Sequence, residues 1–89
     1  MKFIKNQNAI SENLSEKTFI LNNETGIYIE LNETASDLWN SFENESNSDE
    51  LMNYLINEYE VAESIAKIDV DEFVKNCISS KLLLVQVDI

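Results

Sequence analysis

The sequence has no histidine, no proline, no arginine, one glycine and one cysteine. Without histidine, the chain has no imidazole for acid–base catalysis or for binding a metal ion. The single cysteine, Cys77, can form neither an internal disulfide nor a zinc site. The single glycine, Gly26, excludes the glycine-rich loops that hold phosphate groups. These absences predict a chain that is not an enzyme and that binds no metal and no cofactor.

Basic residues are also few, since six lysines face seventeen acids and the net charge is -11. Nucleic-acid binding requires a basic surface, and anionic membranes repel an acidic one, so we expect neither partner. The acidity has two interpretations that the sequence leaves open: it recruits a basic partner, or it only keeps the chain soluble.

Long apolar runs are missing as well. No stretch of eighteen apolar residues occurs, which argues against a membrane span. The first residues, MKFIKNQNAI, lack the apolar stretch and cleavage site of a signal peptide, so we expect a cytoplasmic protein.

The 89 residues, 44% of them hydrophobic, predict a single domain over 1–89 with a modest core. Residues 1–9 contain few large apolar groups, and we expect them to be poorly ordered. A short first strand is expected over residues 9–14.

The segment TFILNNETGIYIEL predicts a β-hairpin. Residues 18–21 are β-branched, aromatic and apolar, which is typical of a strand. Residues 22–26 form a turn signal that ends in Gly26. Residues 27–31 then alternate, with Ile27, Ile29 and Leu31 on one face and Tyr28 and Glu30 on the other.

Three helices are predicted after the hairpin. The first starts at Asn32 as N-cap and carries an apolar stripe at three- and four-residue spacing: Ala35, Leu38, Trp39 and Phe42. The second follows a cap at Asn47 or Ser48, with Glu50 in the first turn. The third runs from about Ala62 to about Ser80, and its expected inner face is Ile65, Ala66, Val70, Phe73, Val74, Cys77 and Ile78.

The apolar stretch LLLVQV at 82–87 is expected to be an extended segment that closes over the core. Strands followed by helices predict an α+β fold, with an N-terminal antiparallel hairpin or three-stranded sheet covered on one face by the three helices.

The ordered series of residues resembles the PqqD-like family. That family combines an Asn-Pro-Glu-Thr-Gly turn, a strand, Leu-Asn-Glu-Thr-Ala, and helices with fixed apolar positions. The similarity spans about residues 15–85. The matching residues are Asn22, Glu24, Thr25, Gly26, Leu31, Asn32, Glu33, Thr34, Ala35, Trp39, Glu50, Leu51, Leu55, Tyr59, Val61, Asp69, Val70 and Phe73.

Three departures from the family pattern concern turns. Asn23 replaces a proline, residues 44–46 replace a glycine-bearing turn, and Lys81 replaces a glycine before Leu82. They suggest a divergent member that differs from the pyrroloquinoline quinone pathway protein itself.

The resemblance implies a winged-helix-like fold and a function as a precursor-peptide recognition element. Such a domain binds the leader of a ribosomally made peptide and presents it to a modifying enzyme, such as a radical SAM enzyme or a leader peptidase. The leader adds as a strand beside the third strand and packs against the third helix. The implied peptide-binding residues are Gly26, Ile27, Tyr28, Ile29, Glu30, Leu31, Val70, Phe73, Val74 and Cys77.

An exposed strand edge can accept an extended peptide through its free backbone groups, so the residues are compatible with that function. The alternative is a small acidic winged-helix-like adaptor or regulator that binds a folded protein and takes no peptide. The chain is expected to be a monomer or a homodimer, because an open edge favours pairing while the charge opposes it.

Overall fold

The structure, a computed structural model, describes residues 1–87 and contains two sheets and three helices. The elements are β1 (Lys2–Lys5), β2 (Ala9–Leu14), β3 (Lys17–Asn22), β4 (Tyr28–Leu31), α1 (Glu33–Asn40), β5 (Glu45–Ser46), α2 (Ser48–Tyr59), α3 (Glu63–Ser79) and β6 (Leu83–Gln86). The predicted α+β fold, with strands before three helices, is confirmed.

The first sheet consists of β2, β3 and β4 in that order, with antiparallel pairing throughout. The strand predicted over 9–14 is β2, and the predicted hairpin is β3 and β4 joined by residues 23–27. Ile20 faces Ile29 across the hairpin, and Thr18 faces Leu31. This register turns Ile20 and Leu31 into the core because side chains alternate along a strand.

The second sheet, in the order β5, β1, β6, was not predicted. Residues 1–9 were expected to be poorly ordered, but Lys2–Lys5 form β1, which pairs with β6 from Lys2–Gln86 to Lys5–Leu83. The apolar segment expected over 82–87 is confirmed as β6. The polar segment between the first two helices contributes the two-residue strand β5, where Ser46 pairs with Phe3.

The helices begin where the sequence predicts. The Asn32 side chain caps α1 by accepting a hydrogen bond from the Ala35 N–H at 2.8 Å. Of the two candidates for α2, Asn47 is the cap and accepts from the Glu50 N–H at 2.9 Å. None of the helices within residues 1–87 is long and apolar enough to cross a membrane.

The core lies between the sheets and the helices, and its largest fully buried side chain is Trp39. Helix α3 contributes Ala66, Val70, Phe73 and Cys77, as predicted. Ile65 and Ile78 were predicted to face inward as well, and this is wrong: they are 47% and 37% exposed. The apolar stripe of α3 is narrower than the sequence suggested, because one helix face packs against neighbours and these two residues flank it.

Lys5 joins the unpredicted sheet to the first helix. Its half-buried Nζ donates hydrogen bonds to the carbonyl oxygens of Trp39 and Phe42, both at 2.7 Å, and lies 4.3 Å from the centre of the Trp39 ring. The bonds satisfy carbonyl groups at and just beyond the end of α1, where a cation is favoured by the helix dipole. Burial lowers the pKa of Lys5 to about 8.

The C-terminal end of α3 is a Schellman motif. The Leu82 N–H donates to the Cys77 carbonyl at 2.8 Å, and the Lys81 N–H donates to the Ile78 carbonyl at 3.0 Å. Lys81 has a φ of +58°, the left-handed conformation that glycine adopts without steric cost. This explains the departure noted at Lys81, because the family pattern places a glycine where the backbone requires this conformation.

Candidate functional site: an open strand edge beside a groove

Strand β4 has one neighbour, β3, so within residues 1–87 its other edge carries no partner strand. The C-terminal segment, the obvious internal candidate for that position, pairs with β1 in the other sheet. The edge is therefore free to receive an additional strand.

The register identifies which backbone groups of β4 face outward. The Asn22 N–H donates to the Ile27 carbonyl at 2.8 Å, so the backbone groups of Asn22 and Ile27 point toward each other, between β3 and β4. Hydrogen-bonded and non-hydrogen-bonded pairs alternate in an antiparallel ladder, so Ile29 also points toward β3. The N–H and C=O groups of Tyr28 and Glu30 consequently point to the open edge.

Ser36 fixes the end of β4 against α1. Its buried hydroxyl accepts a hydrogen bond from the Thr18 N–H at 2.9 Å and donates to the Leu31 carbonyl at 3.2 Å. The hydroxyl thereby links β3 and β4 where the two strands separate at the start of the helix. Sequence reasoning missed this contact, because one of its partners, Thr18, lies 18 residues away along the chain.

The turn before β4 is held by Asn22, which is buried. Its Oδ1 accepts hydrogen bonds from the Glu24 N–H at 2.9 Å and the Thr25 N–H at 3.2 Å. Its Nδ2 donates to the Lys81 carbonyl at 3.1 Å. Gly26 has a φ of +78°, as the turn signal predicted for this position. The start of β4 is thus positioned by the chain that follows α3.

The side chains of the predicted edge divide into two groups. Leu31 is buried and Ile29 is partly buried in the core. Ile27 and Tyr28 are 40% and 60% exposed, and Tyr28 stacks on Phe19 with ring centres 5.9 Å apart. Glu30 is exposed and pairs with Lys17 at 3.6 Å. The exposed side chains lie where a neighbouring peptide strand could contact them.

The residues predicted on α3 lie mainly beneath the surface. Val70 and Cys77 are fully buried, and Phe73 is nearly so. Val74 is partly buried. It lies two residues before Asn76, so helical geometry places it on the side of α3 opposite to Asn76. Val70 and Cys77 therefore offer a peptide no surface in this conformation, whereas Phe73 contributes to the groove described next.

A groove lies between α1 and α3, and the sequence analysis did not predict it. Its cavity volume is about 100 Å³, and it is lined by Asn32, Thr34, Ala35, Asp69, Glu72, Phe73 and Asn76. Asn32 follows directly after β4, so the groove lies at the end of the open edge. The signal available in the sequence was the polar spacing of Asp69, Glu72 and Asn76, which share one helix face.

Two further residues extend this face of α3. Ile65 and Ile68 are 47% and 61% exposed, and they lie four residues before Asp69 and Glu72, respectively. Exposed isoleucines beside polar groups give this face of α3 an amphipathic surface that continues from the groove.

Among residues 1–87, no group of three or more cysteine, aspartate or glutamate side chains is placed to hold a metal ion. Burial raises the pKa of the Cys77 thiol to about 12, so the thiol stays protonated and unreactive at neutral pH. Tyr59 on α2 donates a hydrogen bond to Asp37 on α1, and this bond raises the pKa of Tyr59. Cys77 and Tyr59 lie outside the lining of the groove, and both contribute to packing.

Two solved structures share this fold. The structure described as "TbiB1 in Complex with the TbiA(beta) Leader Peptide" matches with a TM-score of 0.80 and 19% identity, covering 96% of this chain and 99% of the other. The structure described as "Lasso peptide synthetase B1 complexed with the leader peptide" matches with a TM-score of 0.75 and 20% identity, covering 93% and 98%. At these identities the likeness establishes the fold.

A comparison with family profiles gives the relationship. The profile described as "Coenzyme PQQ synthesis protein D (PqqD)" matches residues 17–83, which include β3, β4 and all three helices. A search of the curated proteins found no match. The predicted resemblance is confirmed, and the chain belongs to the PqqD family.

Proposed function

We propose that this protein captures the leader of a ribosomally made precursor peptide by strand addition at the open edge of β4. The observation that carries the proposal is that edge, with the free backbone groups of Tyr28 and Glu30 beside a groove. Both solved structures named above are described as complexes with leader peptides, which supports the same ligand class. The protein itself performs no chemistry and delivers the bound peptide to a modifying enzyme, such as a radical SAM enzyme or a leader peptidase.

Backbone pairing alone gives too little affinity. Tyr28 and Glu30 offer two N–H and two C=O groups, and each hydrogen bond contributes about 1 kcal/mol net. The resulting ~4 kcal/mol is about half of the ~8 kcal/mol that a micromolar complex requires. Apolar side chains of the peptide must supply the difference, at ~1.5–3 kcal/mol for each one fully buried.

The exposed side chains next to the edge are the proposed contacts for those apolar groups. Ile27 and Tyr28 lie at or beside β4, and Ile65 and Ile68 are exposed on the face of α3 that carries the groove residues Asp69 and Glu72. Phe73 lines the groove and stays a proposed contact, whereas Val70 and Cys77, both fully buried, are proposed to support the helix from within.

The experiment is a titration of the ¹⁵N-labelled chain with synthetic peptides. The peptides are the N-terminal halves of short open reading frames that neighbour the gene of this protein. We expect amide shifts centred on residues 26–31 and on the exposed face of residues 65–76. Shifts centred on α2, or no shift at millimolar peptide with every candidate, would contradict capture at β4.

One observation favours the alternative of an adaptor that binds a folded protein. The face of the first sheet that points away from the core carries the exposed side chains of Ile10, Leu14 and Tyr28. A protein partner on this face would shift the amides of β2 and β3 most strongly, whereas a peptide at the open edge would shift those of β4 most strongly. The same titration, repeated with the enzymes encoded nearby, distinguishes the two functions.

A further inference from the structure

We infer that the leader carries a lysine or arginine whose side chain occupies the groove between α1 and α3. The inference rests on the proposed function and specifies the chemistry of the peptide. It follows from three properties of the groove: its floor is apolar, its rim is acidic, and no lysine within residues 1–87 pairs with that rim.

The floor and the rim of the groove differ in polarity. Ala35 and Phe73 supply apolar surface from the two helices, and both belong to or pack against the core. Asp69 and Glu72 supply carboxylates, and Asn32 and Asn76 supply amides. Lysine and arginine combine an apolar stem with a charged end, so they match a groove that is apolar at depth and acidic at its rim.

Neither carboxylate of the rim has a cation partner within residues 1–87. The ion pairs of this part of the chain are Lys2–Glu45, Lys17–Glu30 and Lys67–Asp71, and all lie elsewhere. Lys75 is the lysine closest in sequence after Glu72, and it forms no ion pair in the described structure. The rim is therefore available for an external cation.

The position of the groove relates this cation to the added strand. Asn32, which lines the groove, follows the last residue of β4. A peptide paired with Tyr28 and Glu30 passes the groove as it leaves the edge, and its next side chain on that side can enter. The charge of -11 also attracts a basic peptide at long range and raises its association rate.

The test is an in vitro selection of random twelve-residue peptides on the immobilised chain. We expect enriched peptides with apolar residues at alternating positions and a lysine or arginine at one fixed position relative to them. The selection is repeated on Asp69→Asn/Glu72→Gln. The matched control is Glu12→Gln/Glu58→Gln, which removes the same charge from exposed positions outside the groove.

The result expected is loss of the fixed basic position on the groove variant and its retention on the control. For one enriched peptide, replacing the basic residue by norleucine should weaken binding to the wild type about fivefold at low salt. The same replacement should leave binding to the groove variant unchanged, because the two changes remove one interaction. Circular dichroism confirms that both variants are folded.

Three outcomes would overturn the inference. Enriched peptides without a fixed basic position would refute the basic side chain and leave strand capture intact. Loss of that position on both variants would assign it to overall charge and not to the groove. If no peptide is enriched on the wild type and no amide shift occurs with any leader, both the inference and the proposed function are wrong.

Discussion

The direction of the backbone groups in β4 gives a sharp test of strand addition. The N–H of Glu30 points to the open edge, whereas the N–H of Ile29 points to β3. Incorporating an α-hydroxy acid replaces one amide N–H by an ester oxygen and preserves the side chain. The substitution can be made separately at position 30 and at position 29.

The two esters should behave in opposite ways. The ester at Glu30 removes one hydrogen bond to the peptide, worth about 1 kcal/mol, and should weaken binding about fivefold. The ester at Ile29 removes a bond within the hairpin and should lower the free energy of unfolding by about 1 kcal/mol with little change in affinity. Isothermal titration calorimetry with a leader peptide measures the first effect, and urea denaturation measures the second.

Two results would refute this reasoning. A loss of affinity from the Ile29 ester alone would mean that the register of β4 places the other set of groups at the edge. Unchanged affinity with both esters, in folded protein, would mean that the peptide does not bind by adding a strand.

Three further predictions concern stability. Lys81→Gly should raise the free energy of unfolding by about 1 kcal/mol and the melting temperature by roughly 4–8 °C, because glycine adopts the left-handed conformation without strain. The control Ser80→Gly should not stabilise the protein, because Ser80 has a φ of -89° and is not left-handed. Ser36→Ala should cost about 1–3 kcal/mol in urea denaturation, since the Thr18 N–H and the Leu31 carbonyl lose their partner; an unchanged midpoint would contradict the linking role. The pKa of Cys77 is 9.0 in the unfolded chain and about 12 in the folded protein, so the unfolded thiol ionises first as the pH rises. The free energy of unfolding should therefore fall between pH 9 and 12, with a slope of up to about 1.4 kcal/mol per pH unit. Cys77→Ala should lack this component, and parallel pH profiles of the two proteins would disprove it.

The features that sequence could predict are those with local signals. The hairpin has alternating strands around a turn with glycine, and α1 and α2 have asparagine caps at the predicted positions. Each signal lies within a few residues, so its structural consequence does not depend on the rest of the chain.

The second sheet could not be predicted in the same way. Its strands β1, β5 and β6 come from three distant parts of the chain, and β5 is two polar residues, Glu45 and Ser46. Pairing between such segments is decided by tertiary packing, here the burial of Phe3 and Leu83, which no local pattern reports.

The candidate site was predicted in part for a related reason. The edge at 27–31 follows from strand alternation, and it stays a proposal for peptide binding. The surface of α3 depends on which part of a broad apolar stripe meets α1 and α2, so Ile65 was placed inside and the groove between α1 and α3 was not predicted. The burial of Val70 and Cys77 is a property of the packed helix and not of its sequence alone.

The pairing of Lys2 with Gln86 places these two residues side by side on one sheet, while the open edge of β4 belongs to the other. A fluorescent protein or an enzyme attached near Lys2 or Gln86 would therefore not occupy β4. Under the proposed function, an enzyme attached there would meet a peptide bound at β4 at a high effective concentration, set by the length of the connecting linker. The sheet that would carry the attached enzyme is then separate from the sheet that would bind the peptide.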